Sequence, residues 1–399
     1  MANDLTAFSP EYWSARMQAL LSKTMVSRMV ANFEEQAMMR DGDVVNRPYH
    51  GDFHANTYTK GTAVSIQDVA TTNEYLSIDT TKEVSFYVDE IDRIQNKYEA
   101  ANALINRAAY VLKNDMDGDF FDEIANANLD IDDGDIGGTS GSSITLSSSN
   151  VVKTFTTCKA EMYNNRVEDS KPWYAVIDPN TAAIIEQSAV ANGFNLADAT
   201  FRNGYVGDAF GFRMLVSNNL RSSVSLGLAT NPTNGDTIVI NGVTFTFVDT
   251  LGTTAGNVHI CSTAAKTVTN LVTALNALGT SITSATDAGY VAISTANRNK
   301  LEQVRLTATD NTTAVGLTAN GKLVLSETLT DTTDAFGDQT IHNYICQSGA
   351  TDMVIQKDVS VQKNKVEDKT GYNFLTYDLY GLKTFTEGAD RMLDLKIKA

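Results

Sequence analysis

At 399 residues, with 42% apolar and 8% aromatic content, the chain has the length of two or three domains and the composition of a folded protein, not a disordered one. Its net charge of −17 argues against a general grip on nucleic acid, which needs clustered Lys and Arg. No stretch approaches eighteen apolar residues, so no membrane-spanning helix is predicted, and the opening MANDLTAFSPEYW lacks the basic and apolar regions of a signal peptide.

In chain order, Ser9-Pro10-Glu11 has the chemistry of a helix start, and Trp13, Met17, Leu20, Met25, Met29 and Phe33 follow as one face of an amphipathic arm. Val44 to Pro48 reads as a short strand. From Tyr49 to about Tyr87 the apolar residues alternate at Val64 and Ile66, at Leu76 and Ile78, and at Val84, Phe86 and Val88. This predicts a long two-stranded ribbon with little to bury, marginal by itself in water. The stretch Val88 to Asn126 then changes period. Ile91, Ile94, Tyr98, Ala101, Ile105, Ala108, Leu112, Met116, Phe120 and Ile124 recur at gaps of three or four, with Gly118 the lone glycine. A helix of that length is roughly 50 Å long and needs partners along its whole stripe. The expected partners are Tyr377–Lys383 and the helix at Val151–Met162; the acidic residues Asp115, Asp117 and Asp119 are expected on an exposed face of the helix, one that would repel DNA.

A Gly/Ser/Asp loop follows from Asp130 to Asn150, and then a helix with Val151, Phe155, Cys158 and Met162 on one face. Trp173 to Ile177 is a buried strand stopped by Asp178-Pro179, a helix runs through Ile184, Ile185 and Ala189, and Phe212 to Val216 is a further strand. From about Ser225 to Asp334 the sequence is Thr-rich and poor in charge. Asn241-Gly242 between alternating apolar runs marks a two-residue hairpin, Val258 and Ile260 a strand, Val268 to Leu278 a helix, and Val291/Ile293 and Val304/Leu306 further strands. This segment reads as a self-contained α+β insertion, expected to project outward. The earlier composition returns near Ile341, with strands at Met353–Val361, Tyr377–Lys383 and Leu393–Ile397 that are expected to pair back with the first half.

Several of these segments resemble the major capsid proteins of tailed bacteriophages, the Hong Kong 97 type of fold. Gly42-Asp43-Val44-Val45 before Pro48 resembles the exit from the N-terminal arm, and FYVDEIDRIQ (Phe86–Gln95) the entry to the spine helix. WYAVIDP (Trp173–Pro179), Asn203–Gly207, Gly211-Phe212 and Ser217–Leu220 resemble the axial domain, and Tyr380–Lys383 its closing strand. GDTIVINGVTFTF (Gly235–Phe247) resembles small domains of phage structural proteins. The resemblance implies an α+β capsid fold divided into an arm at 1–48, an extended loop at 49–87, a peripheral domain at 88–165 with its spine at 88–126, an axial domain at 166–224, an insertion at 225–334 and a return at 335–399. It also implies a non-enzymatic shell subunit of the virion, assembled in the host bacterial cytoplasm into hexamers and pentamers around double-stranded DNA. Scaffolding, portal and decoration proteins are the implied partners, with no cofactor, no membrane and no sequence-specific DNA binding. Trp13, Met17, Arg47, Tyr58, Lys60, Ile66 and Leu76 are the candidate subunit contacts, on the arm and ribbon that lack partners of their own. Two other readings remain open: an encapsulin-like cellular nanocompartment shell, and an enzyme with an unrecognised carboxylate site.

The chemistry-bearing residues favour a structural role. Asp130, Asp132, Asp133 and Asp135 lack the glycine position and late Glu of a calcium loop and read as a solvated acidic loop. His50, His54, His259 and His342 show no metal spacing, no familiar catalytic motif is present, and Cys158, Cys261 and Cys346 read as reduced structural thiols.

Overall fold

A computed structural model describes residues 25–37, 42–91, 100–191, 207–283, 287–366 and 370–399. A single helical turn, α1 (Ser27–Val30), precedes an antiparallel ribbon of β1 (Val44–His50) and β2 (Thr71–Ser77), in which Val45 faces Leu76 and Arg47 faces Glu74. Residues 51–70 between them form no strand, so the expected pairing at Val64 and Ile66 is absent. Nor does β3 (Thr80–Val88) continue the ribbon; it pairs along its length with Tyr372–Tyr380. Val88 therefore ends a strand, and the spine helix, α2, is described from Ala100 to Asp122 and closes in a 3-10 turn at Glu123–Asn126.

Next come β4 (Leu129–Ile131), α3 (Val151–Asn164), β5 (Trp173–Ile177), α4 (Pro179–Ala191), β6 (Asp208–Ala209), β7 (Phe212–Val216) and β8 (Arg221–Gly227). The Thr-rich segment supplies the hairpin of β9 (Thr237–Ile240) and β10 (Val243–Val248), whose turn places Asn241 at φ 49° and Gly242 at φ 74°, the left-handed pair that a type I′ turn requires. It continues through β11 (Asn257–His259), α5 (Ala264–Asn276), α6 (Thr295–Glu302), β12 (Thr307–Asp310), β13 (Ala314–Asn320) and β14 (Leu325–Thr328). Val291 and Ile293 do not form a strand: Tyr290 makes isolated bridges to Val258 and Ile282, and α6, capped by the Ser294 hydroxyl, follows at once. The chain closes with β15 (Thr340–Gln347), β16 (Asp352–Lys365), β17 (Tyr372–Lys383), α7 (Thr386–Ala389) and β18 (Met392–Lys398).

The largest sheet runs β12-β13-β8-β15-β5-β7-β6, with β18 also on β15 and β4 on β18. Its strands are apolar on both faces, and the two-residue period of a strand sends successive side chains into different cores. Ala175, Ile177, Ile345, Leu393 and Leu395 point to α3, where Phe155, Cys158 and Met162 meet them. Val176, Tyr344, Cys346 and Met392 point the other way, to Met116, Phe120, Phe121 and Ile124 of the spine. The helix α3 is thus across the sheet from the spine instead of against it. The other expected partner holds, since Tyr380 of β17 is buried in the spine's own core. The segment 225–334 has an extensive apolar core around Phe245, Phe247, Val268 and Leu271. It is not separate from the body, because β13 pairs with β8 from Asn320 opposite Arg221 to Ala314 opposite Gly227.

Phe120 has no exposed surface, and its ring lies 5.4 Å from that of Phe121 and 5.5 Å from that of Tyr344. Phe120→Ala is expected to cost roughly 3–5 kcal/mol, read as a shift in the denaturant midpoint of the unassembled chain; a change under about 1 kcal/mol would mean that this core does not carry the spine.

Candidate functional site

The last two turns of α2 carry Asp115, Asp117, Asp119 and Asp122, and each carboxylate is engaged within the subunit. Asp117 is buried and accepts the backbone N–H groups of Val26 (3.1 Å) and Ser27 (2.9 Å), while its other oxygen accepts Asn219 Nδ2 at 2.7 Å. This fixes the Val26–Ser27 segment of the N-terminal arm on the spine. Lys82 of β3 reaches Asp115 at 3.0 Å and Asp119 at 3.9 Å, and the Tyr380 hydroxyl donates to Asp119. Burial and the Asp119 charge push the Tyr380 phenol far above its ordinary range.

Arg305, from the loop after α6, closes the cluster. Its Nε lies 3.2 Å from Asp115, its Nη1 3.2 Å from Asp122, and its Nη2 pairs with Asp119. Burial works against the charge on the guanidinium; Asp119, Asp122 and Asp115 outweigh it, so the group is held more firmly protonated. Gly118 is the seat of this contact. A Cβ there would stand 2.6 Å from Arg305 Nη1 and 3.2 Å from Asn320 Nδ2, and Asn320 Nδ2 donates to the Gly118 carbonyl at 3.4 Å. Glycine inside a helix costs about 1 kcal/mol relative to alanine, and here it admits a side chain from almost 190 residues away. The expectation that Asp115, Asp117 and Asp119 form an exposed acidic face is therefore corrected: they are the receptors of an internal joint. The sequence offered one clue, a lone glycine among aspartates on a strong helix, but nothing marked Arg305 as its partner.

The Asp-rich loop is likewise built, not merely solvated. Asp132 accepts Gly134 N at 2.7 Å and Gly141 N at 2.6 Å, Asp133 accepts Thr139 N at 2.8 Å, and Asp135 accepts Asp132 N at 2.9 Å. Among the described residues no group of three or more His, Cys, Asp or Glu side chains has the geometry of a metal site. The three cysteines are buried and free, and burial pushes the Cys158 and Cys346 thiols up, away from reactivity.

The candidate contacts divide. Tyr58 is 63% exposed and Ile66 92%, with Phe53 and Val64 similarly bare and Lys60 at the exposed turn of the same 51–70 loop. Leu76, by contrast, is fully buried against Ile78, Val354 and Phe385 of its own chain, so it is a core residue. Arg47 is also committed internally: it pairs with Glu35 at 2.8 Å and Asp352 at 3.0 Å and lies 4.4 Å over the Phe385 ring. Trp13 and Met17 lie outside the described residues.

No protein-family model matches the chain, and no curated relative matches it in sequence. Solved structures do. A chain of Mycobacterium phage Che8 superposes with a TM-score of 0.56 at 16% identity, over 98% of this chain and 97% of that one. A chain of the capsid of Cyanophage P-SCSP1u gives 0.55 at 10% identity, over 100% and 95%. A chain of the capsid of Myoviridae Phage XM1 gives 0.51 at 9% identity, over the full length of both. The chain has the phage major capsid fold, of the Hong Kong 97 type. Within that capsid fold, the Arg305 joint ties the Thr-rich segment to the spine, and among the described residues the 51–70 loop forms no strand and leaves Phe53, Tyr58, Val64 and Ile66 bare.

Two outcomes follow for the joint. Arg305→Met removes the one cation shared by all three carboxylates, leaving Lys82 to serve Asp115 and Asp119 and Arg221 to serve Asp122, and is expected to cost about 3 kcal/mol, with Arg305→Lys recovering only part because a compact ammonium cannot span carboxylates on two helix turns as the planar guanidinium does; equal midpoints for all three proteins in denaturant titrations would refute the joint. Asp378 of β17, fully buried, completes no hydrogen bond through its carboxylate. Burial pushes it up to about 6, against the pull of the Lys82 main chain and with Asp115 adding repulsion. A raised carboxylate is harmless while protonated in both states, and stability is lost as pH rises from about 4 through about 6. Asp378→Asn should therefore match the parent near pH 4 and exceed it by roughly 2 kcal/mol at pH 7.5, measured by unfolding at both values; an unchanged difference between the two pH values would overturn this.

Proposed function

We propose that the chain is a structural shell subunit that self-assembles into an icosahedral capsid around double-stranded DNA, with no enzymatic role needed for that task. The observation that carries this reading is the capsid fold over the whole chain. The 51–70 loop supports it: it exposes Phe53, Tyr58, Val64 and Ile66 on a segment with no internal sheet to stabilise it, the condition of a surface completed by a neighbour. In closed symmetry one such contact is repeated around every capsomer, so modest pairwise energies add up to a stable shell. The phage origin of the neighbours described above favours a viral shell over an encapsulin-like compartment.

On this reading the subunit assembles as hexamers and pentamers in the cytoplasm of a bacterial host and ends in the virion, with scaffolding, portal and decoration proteins as partners. Tyr58, Lys60 and Ile66 of the extended loop, and Trp13 and Met17 of the arm, are the proposed contacts. The division at 1–48, 49–87, 88–165, 166–224, 225–334 and 335–399 is the proposed organisation. The net charge of −17 suits a wall that encloses DNA without adhering to it.

Deleting residues 53–66 should leave the thermal melt of the unassembled chain within a few degrees of the parent and abolish shells in electron micrographs, with Ile66→Asp reducing shell yield at least fivefold. Shells at parental yield from the deletion, or a parent chain that stays monomeric under all assembly conditions, would remove the basis for the proposal.

A further inference from the structure

Three neighbouring strands carry a constellation that the shell reading does not use. Ser223 lies on β8, His342 on β15 and Asp394 on β18, and β15 pairs with both of the others. The registers place Thr340 opposite Ser223, and Lys396 opposite His342. Ser223 and Asp394 therefore sit at the two diagonal positions beside His342, within reach on one face of the sheet. The contacts are made: Asp394 Oδ2 is 2.7 Å from His342 Nδ1, and Ser223 Oγ is 2.9 Å from His342 Nε2. An ionised carboxylate only accepts, so Nδ1 carries the hydrogen and Nε2 offers its lone pair to the serine hydroxyl. The second oxygen of Asp394 is buried and has no other hydrogen-bond partner, so the carboxylate is not diverted to another donor.

We propose that Ser223 is an activated nucleophile, served by His342 as base and by Asp394 as the group that orients it, and that it takes small activated acyl or organophosphorus esters. The three roles and their order of contact are those that define a serine relay on any fold, independent of sequence position. Ser223 is partly exposed, and the side chains of His342 and Asp394 keep 15% and 12% of their surface, so a small electrophile has access from solvent. In acylation, Oγ bonds to the carbonyl carbon, its proton passes to Nε2, and the alkoxide leaving group departs with that proton; water reverses the sequence to release the acid.

The chemistry of the surroundings limits its speed. The Ser223 backbone lies in the ladder between Thr318 of β13 and Thr340 of β15, so the strand offers no free pair of amides for an oxyanion. Cations are the available substitute: Arg221, two residues along the same face and 3.9 Å from Asp122, and Lys396, opposite His342 and paired with Asp130 of β4 at 2.5 Å. Slow, near-stoichiometric acylation is the expected behaviour, not rapid turnover.

Ser225 is an internal control, since it lies on the same face of the same strand, is exposed, and has no imidazole beside it. The full-length chain is incubated with an alkyl fluorophosphonate and its peptides are read by mass spectrometry. In that reaction the Oγ–P bond forms, the P–F bond breaks, fluoride leaves and the proton goes to His342. The expected result is labelling of Ser223 at least tenfold faster than Ser225, lost in Ser223→Ala and reduced at least tenfold in His342→Gln, with a parental rate that levels off at alkaline pH instead of rising in proportion to hydroxide. Equal labelling of the two serines, no effect of His342→Gln, or a rate simply first order in hydroxide would each show that the three side chains only fill the sheet. The pH profile of the parent chain decides the matter if His342→Gln does not fold.

Discussion

One guanidinium against three carboxylates sets the geometry of this molecule. Arg305 reaches Asp115, Asp119 and Asp122 along the last two turns of the spine, and those same turns receive Lys82 from β3, Tyr380 from β17 and the N-terminal segment at Val26-Ser27 through Asp117. Four parts of the chain far apart in sequence thus meet on about eight residues of helix. A partly buried array of this kind adds little net stability over an apolar contact of the same shape. What it adds is specificity. Any other docking of the Thr-rich segment takes Arg305 away from carboxylates that Lys82 and Arg221 only partly neutralise, so the arrangement is selected by the cost of its alternatives.

That joint works only because the sheet behind it is two-sided. An antiparallel sheet with one wet face would leave either α3 or the spine without a partner. Here β5, β15 and β18 carry apolar residues on both faces, so neighbouring residues feed separate cores, with Phe155 and Trp173 in one and Phe120 and Tyr344 in the other. The spine is therefore held against a sheet that is braced from its far side.

What could be read in advance follows from the range of the forces involved. The Asn241-Gly242 hairpin and the helix bearing Phe155, Cys158 and Met162 are local, since turn dihedrals and a single apolar stripe are written in adjacent residues. At the start of the spine the strand period of Val84, Phe86 and Val88 runs directly into the helical period, and pairing with Tyr372–Thr376 keeps Val88 in the strand while Glu90 and Ile91 are already helical. Val64 and Ile66 alternate as a strand should, yet alternation only prepares a strand, and among the described residues no partner supplies the other half of the ladder. The helix α6 escaped notice because Leu301 is its one buried residue; its signal was the Ser294 cap, not periodicity. Arg305 and Ser223–His342–Asp394 were beyond reach, since both depend on strand order and register across more than a hundred residues.

The two kinds of surface left over make a single argument about assembly. Charged residues near the body, such as Arg47, Lys82, Asp115 and Asp352, are satisfied inside the subunit, so they have no strong claim on a neighbour. Apolar residues on the 51–70 loop are bare, and Ile66 at 92% exposure gains nothing from its own chain. Burial of such side chains stabilises by roughly 1.5–3 kcal/mol each and is insensitive to salt, whereas exposed ion pairs contribute less and are screened. On the proposed shell reading, such a subunit is braced by its own charges before it meets a partner and offers the loop as one apolar contact, whose modest energy closed symmetry would repeat.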